Sequence, residues 1–369
     1  MADRLRVLQV LGSSAGGVAR HVGQISAALG PHGADVVVAG PRSVASDVTA
    51  DHVTHVAVEI ADRPAAADLV ALRRLRALAS GADVVHAHGL RAGALCVLAA
   101  RTLRHRPRVV VTLHNLPVGG RAIRTVAGCL ERVVARGSDV VLGVSGDLVA
   151  RAVARGAPLA LRALVPAPAR PRPGLGRLEV REGLGLTPEQ HLVVTVARLA
   201  PQKGLDVLAD AAALLGRAPG GTEVVWVVAG DGPLEAELEA RVEAEGLGVR
   251  LLGRRQDVAE LLSAADVVVS TAVWEGQPLV VQEALAVGAS VVATDAGGTR
   301  EVTGDTAAVL VPVGDAAAVA GAVAALLADP RARRELGRVA LERAAELPDV
   351  DQVCDQLLSV YRTGSTHQG

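Results

Sequence analysis

The chain has 369 residues, half of them hydrophobic, with 38 basic and 39 acidic side chains and a formal net charge of -1. That length fits two domains with a large buried core. No Phe, one Tyr and two Trp leave almost nothing to stack on bases, which speaks against a nucleic-acid partner.

The charge is split unevenly. Residues 1–170 carry 21 Arg against 11 Asp plus Glu, a balance of +10, and residues 171–369 carry 17 basic against 28 acidic, a balance of -11. Opposite balances fit two domains facing different partners. In chain order, the first half predicts strands at 5–11, 34–40, 52–60, 83–88, 108–114 and 139–145, with helical stretches between most of them. Several strands are unbroken Val runs, as expected of strands buried on both faces. The alternation is that of a doubly wound parallel sheet. Residues 165–174 hold four prolines, which neither helix nor central strand accommodates. A linker is therefore placed at 166–175. A second strand–helix series follows, with strands at 191–199, 223–230, 249–253, 266–271, 290–294 and 308–311. The expected domains are 1–165 and 176–346, with a closing segment 347–369 whose last helix covers roughly 349–362. The Ala-rich run 316–328 is too short for the ~18 residues of a membrane span. Cys96, Cys129 and Cys354 lie far apart without metal-ligand spacing. With no leader-like start, this gives the expectation of reduced thiols in a cytoplasmic protein.

Ligands of such sheets bind beyond the carboxyl ends of the strands, and the chemically notable residues cluster there. After the first strand comes a loop with Gly12, Gly16 and Gly17, then Arg20 and His21. It is either a tight turn or an anion-binding approach. The glycine spacing and the missing acidic residue after the second strand disfavour NAD. His86 and His88 end the fourth strand and His114 the fifth. Each is either packing or a hydrogen-bonding partner for a sugar hydroxyl.

In the second half, Lys203 is the only lysine among the 38 basic residues. Arg198 and Lys203 bracket the loop after a strand, where two cations would stabilise the charge of a leaving diphosphate. No metal is required by this arrangement. Seventy-odd residues on, Glu275-Gly276-Gln277-Pro278-Leu279-Val280 leads to Glu283. Pro278 is expected to open a helix, with the Leu279 and Val280 amides free for a phosphate. Like charges repel, so Glu283 and Glu275 suit ribose and donor-sugar hydroxyls rather than the phosphates. Gly230 and Gly297–Gly298 end further strands, and Arg254 could border the base. Arg121, Arg124, Arg132 and Arg136 share a helical face opposite Ile123, Val126, Leu130 and Val134. That basic face is either solvated, with the apolar stripe resting on a core, or a dock for an anionic membrane or acceptor.

With these residues in hand, the chain resembles the retaining glycosyltransferases of family 4, of GT-B fold, over nearly its whole length. The motif Glu275-x7-Glu283 with Ala284–Gly288 and Val291–Gly298 carries the resemblance most specifically. Val196–Gly204, Ala229–Pro233, Gly16–Gly17 with Arg20–His21, and Val111–His114 support it. The resemblance implies two Rossmann-like domains facing across a cleft, the C-terminal one binding a nucleoside diphosphate sugar and the N-terminal one a hydroxyl acceptor. It further implies that Arg198 and Lys203 hold the distal phosphate, Glu283 the ribose and Glu275 the transferred sugar. His114 would lie by the reaction centre, Gly17 would approach the phosphate or acceptor, and the last helix would cross back to the first domain. Gly16, Arg20, His21, His86 and His88 would fall on the acceptor side. Gln277 stands where many members carry Phe, Leu or Met, and Val165–Pro168 replaces a common Pro-Asn-Gly. Expected rivals are a GT-B epimerase, a non-catalytic nucleotide-sugar-binding protein and, least of all, a Rossmann oxidoreductase. A peripheral position at the inner membrane face would suit the basic half.

Overall fold

The computed structural model describes residues 4–13, 17–50, 52–61, 66–116, 120–168, 173–216 and 221–363. The chain divides into two compact units. One joins the segment up to Pro166 with the segment from Pro348 onward, and the other is Ala167–Leu347.

The first unit is built on β1 (Leu5–Leu11), β2 (Ala34–Gly40), β3 (Val53–Ala57), β4 (Val84–His88), β5 (Arg108–Leu113), β6 (Val140–Gly143) and β7 (Ala160–Arg162). All pair in parallel, in the order β3-β2-β1-β4-β5-β6-β7. The short β7 has no Val run and escapes the sequence pattern. The crossovers change direction between β1 and β4, the kind of switch point beside which such sheets bind ligands. Val10, Leu11, Val110 and Val111 are fully buried, as strands covered on both faces require.

The Val350–Arg362 helix belongs to this unit. Asp349 caps it, accepting from the Gln352 amide at 2.8 Å, while the Gln352 side chain returns a 3.0 Å contact to the Asp349 amide. This reciprocal box satisfies two donors that a helix start otherwise leaves orphaned. Gln356 grips the end of β7 by accepting from the Leu164 amide (2.8 Å) and donating to the Arg162 carbonyl (2.9 Å). Arg108, at the start of β5, donates to the Val360 carbonyl at 2.8 Å.

The second unit holds β8 (His191–Val196), β9 (Val224–Ala229), β10 (Val249–Gly253), β11 (Val267–Ser270), β12 (Val291–Thr294) and β13 (Val309–Val311). Their order is β10-β9-β8-β11-β12-β13, again all parallel. Alternate residues feed two cores: Leu192 and Val194 on one face, Val193, Trp226 and Val267 on the other. Trp226 is buried, and its indole N–H donates to Thr195 Oγ1 at 3.0 Å, which in turn donates to the Val269 carbonyl at 2.9 Å.

At the foot of the switch point, buried Asp266 accepts from the Leu192 amide (2.8 Å), Arg177 (2.6 Å) and Arg181 (3.2 Å). Burial pushes this carboxyl up, but the Leu192 amide and the two guanidinium groups outweigh it and hold the pKa below its ordinary value. Strand β8 stops at Val196 rather than at 199. The Leu199 amide turns away to donate to the Asp231 carbonyl at 2.8 Å, so residues 197–199 become loop. Among the described residues no helix is long and apolar enough to cross a membrane.

Candidate functional site

In the second unit, β8 and β11 are neighbours whose following loops diverge, so the switch point lies between them. Several short contacts stitch these loops together. The Val273 amide donates to the Gln202 carbonyl at 2.9 Å, and Thr271 Oγ1 donates to the Lys203 carbonyl at 2.9 Å. Gly204 adopts φ +61°, and a Cβ there would stand 2.1 Å from the Thr271 carbonyl oxygen. Only glycine permits both that conformation and that approach. Across this seam the Lys203 ammonium forms an ion pair with the Glu275 carboxylate, both side chains largely buried. The sequence gives them separate duties, whereas the structure places them in contact.

Glu275 is held from a third side. Its carbonyl accepts from the Gly298 amide at 2.8 Å, and a Cβ on Gly297 would come within 2.0 Å of that oxygen. The loop after β9 is equally close to the Arg198 loop, since a Cβ on Gly230 would lie 1.9 Å from the Ala197 carbonyl oxygen. Arg198 itself is exposed and makes no ion pair among the described residues. Arg254 is exposed beyond β10.

Pro278 occupies the cap position rather than the first helical residue, so the helix is Leu279–Ala286. Its first backbone bond runs from the Gln282 amide to the Pro278 carbonyl at 3.1 Å. The Leu279 and Val280 amides precede that bond, have no acceptor within the helix, and no side chain caps them. Gly276 is buried, and Gln277 and Glu283 are half-buried, with Glu283 one turn into the helix. Thus Arg198, Lys203, Glu275, Gly276, Gln277, Pro278, Leu279, Val280 and Glu283 all follow the carboxyl ends of β8 and β11, and Gly230 borders them. Arg254 is two strands away.

The first unit gathers four histidines at its own switch point. His86 and His88 end β4, His114 follows β5, and His21 lies on the Gly17–Leu29 helix. His88 and His114 are stacked with ring centroids 5.4 Å apart, and His21 stands edge-on to both at 6.2 and 5.7 Å. Burial lowers His21 to about 4 and His86 to about 3, the latter with help from His21. Burial, then neighbouring histidines, holds His88 and His114 well below 6.5. The cluster is therefore neutral at pH 7. Gly17 opens the helix and Arg20 is exposed on it, while Gly16 lies outside the described residues.

The family pattern described as "Glycosyl transferases group 1" matches residues 177–343, and "Glycosyl transferase 4-like domain" matches 16–168. Alpha-maltose-1-phosphate synthase of Mycolicibacterium smegmatis is 31% identical over 317 residues, covering 77% of this chain and 80% of that protein. The chain belongs to the group 1 glycosyltransferases. Alpha-D-kanosaminyltransferase of Streptomyces kanamyceticus is 32% identical, over 50% of this chain and 49% of its own length. Several curated relatives are matched, like it, over only about half their length. Among solved structures, Anabaena Alr3699/HepE in complex with UDP-glucose superposes with a TM-score of 0.80 at 21% identity, covering 98% of this chain and all of that one. Likeness at this level confirms the expected GT-B fold class of two Rossmann-like parallel-sheet domains.

Three buried polar residues of the glycosyltransferase N-terminal unit escaped sequence reasoning. Gln9, Thr112 and Tyr361 all hydrogen-bond into the histidine cluster. A lone Gln inside the run Leu5–Leu11, and the only Tyr of the chain, are the signals that could have found two of them.

The neutral cluster makes stability depend on pH. The unfolded chain binds protons near pH 6.5, but the folded one does not until about 3 to 4 for His86 and His21. The stabilisation is therefore complete above 6.5 and lost as pH falls toward 4, by roughly 1.4 kcal/mol per pH unit for each titrating histidine. The urea midpoint should fall steadily between about pH 7 and pH 5; a flat profile would contradict a buried neutral cluster.

Proposed function

We propose that the protein transfers a sugar from a nucleoside diphosphate sugar to a hydroxyl acceptor, with retention at the anomeric carbon. One observation carries the reading: the loops after β8 and β11 join Lys203 to Glu275 beside an uncapped helix start, with the unpaired Arg198 on the same β8 loop. A UDP-sugar is the first donor proposed and GDP-mannose the second. The Anabaena neighbours in complex with UDP and UDP-glucose support the first.

In the proposed reaction the diphosphate enters between Arg198, Lys203 and the Leu279 and Val280 amides. Lys203 exchanges its contact with Glu275 for the distal phosphate, and the freed carboxylate accepts from hydroxyls of the transferred sugar. Glu283 accepts from the ribose. As the bond from the anomeric carbon to the phosphate oxygen breaks, the electron pair stays on the diphosphate, where the two cations stabilise it. The acceptor oxygen forms the new bond on the same face and gives its proton to the leaving phosphate. No metal is needed in this scheme, because Arg198 and Lys203 supply the charge. His114, neutral at pH 7, accepts a hydrogen bond from the reacting sugar.

A second observation favours a peripheral membrane position. On the Arg121–Gly137 helix, Ile123 and Val126 are not in the core, as the sequence suggested, but 52% and 46% exposed next to Arg121 and Arg124. The domain covers the helix only from Ala127 onward. Exposed apolar residues interleaved with Arg suit an anionic bilayer surface. Sedimentation with anionic vesicles should retain the protein, and Ile123→Asp with Val126→Asp should release it. Equal retention on neutral vesicles would count against this reading.

For the enzyme, Arg198→Ala and Lys203→Ala should each lower kcat by about 10²- to 10³-fold, with an excess of EDTA leaving the rate unchanged. The product linkage, read by NMR, should keep the donor's anomeric configuration. An inverted product would overturn the mechanism. Epimerised donor without acceptor would point to an epimerase, and binding with no turnover to a sensor.

A further inference from the structure

A cavity opens at the carboxyl end of the first sheet, lined by none of the four histidines. It lies over β1, β2 and β3, three neighbouring strands on one side of the switch point. The loops that leave these strands are tied to one another. The Ser13 amide donates to the Ile60 carbonyl at 3.1 Å, and the Val58 amide to the Gly40 carbonyl at 2.9 Å. With the start of the Asp68–Ala79 helix they enclose an open volume of about 330 Å³. Small-molecule sites begin at about this size, and sheets of this kind take their ligands at this end.

The walls are chemically one-sided. Residues 1–170 carry 21 Arg against 11 Asp plus Glu, yet among the described residues no cation lines the cavity, whereas Glu59 and Asp68 do. Asp68 is committed to Arg91 at 2.7 Å. Glu59 is not. It accepts from the backbone amide of Arg42 at 3.2 Å and makes no ion pair among the described residues, so its charge is left for a ligand. Ser13 and Ser43 add hydroxyls, which both donate and accept, and Pro41 and Ala61 add apolar surface. A phosphate or carboxylate would be repelled by Glu59 with no lining cation to offset it. A metal ion would lack donors, since no three His, Cys, Asp or Glu side chains among the described residues are grouped to hold one. An ammonium on a hydroxyl-bearing ring meets both features. It donates to the carboxylate in a charge-assisted hydrogen bond, roughly twice as strong as a neutral one, and its ring hydroxyls pair with the serines.

We propose that this cavity binds an amine-bearing polyol the size of a single amino sugar, with Glu59 as the partner of the ammonium. As the chemical class of the acceptor this rests on the sugar transfer proposed above, whereas the binding site itself lies wholly within the first unit.

The test is calorimetric titration of the full chain at pH 7. The probes are glucose, aminoglucoses bearing the amine at carbon 2, 3 or 6, the N-acetyl form of the tightest of these, and glucose 6-phosphate. At least one aminoglucose should bind about tenfold more tightly than glucose and than its own N-acetyl form, and glucose 6-phosphate should bind most weakly. The advantage should fade as pH rises through the amine's own pKa. Glu59→Gln, at an exposed position, should remove the advantage and leave the affinities for glucose and UDP unchanged. Ala67→Trp, filling the cavity from an exposed wall position, should abolish binding of every sugar and spare UDP. Aminoglucoses that bind no better than glucose, a preference for glucose 6-phosphate, or an amine advantage that survives either variant would each overturn the proposal. Transfer to a hydroxyl acceptor at a rate untouched by both variants would overturn the site and leave the transferase standing. Glu59-dependent amine binding with no transfer from any nucleotide sugar would do the reverse.

Discussion

Everything chemical in the C-terminal unit depends on one topological constraint. A parallel sheet ordered β10-β9-β8-β11-β12-β13 must send its crossovers opposite ways from the centre, leaving one gap where two loops start side by side. The sequence fills that gap with a lysine on one loop and a glutamate on the other, 72 residues apart. The glycines at 204, 230 and 297 let three loops approach within distances that any side chain would forbid, and so the ion pair sits on a rigid backbone. A backbone fixed in this way keeps both charges at the switch point.

The N-terminal unit solves a different problem with the same topology. Its switch point is filled by neutral hydrogen-bonding groups rather than by charges. Gln9, His86, His88 and Thr112 are buried, and such groups are tolerated only because each finds a partner. The closing helix supplies the partner that completes the row, and its buried Val353, Leu357, Leu358 and Val360 pack it into the first unit. Its capping box secures its start, and the Gln356 and Arg108 contacts tie it to β7 and β5.

Much of this was legible in the residues. Unbroken Val runs separated by helical stretches announce doubly wound sheets, because nothing else buries both faces of so many short strands. The spacing of Arg198 with Lys203 and of Glu275 with Glu283 marks the loops that the fold later brings to one switch point. What stayed hidden was pairing across distance. No local pattern says that Lys203 meets Glu275, or that Gln9 meets Tyr361 352 positions away. The helical stripe of Ile123, Val126, Leu130 and Val134 misled for a related reason. Periodicity identifies an apolar face but not how far the neighbouring element extends, and here the cover ends before Val126. The one-residue displacement of Pro278, from first helical residue to cap, is the ordinary uncertainty of a helix boundary.

The central claim is that Arg198, Lys203, Glu275 and Glu283 serve one nucleotide sugar. A crystal structure of the full chain with an intact UDP-sugar tests it most directly. The account predicts Lys203 moved from Glu275 to the distal phosphate beside Arg198, with Glu275 on the sugar and Glu283 on the ribose. A bound donor whose diphosphate touches neither cation would contradict it.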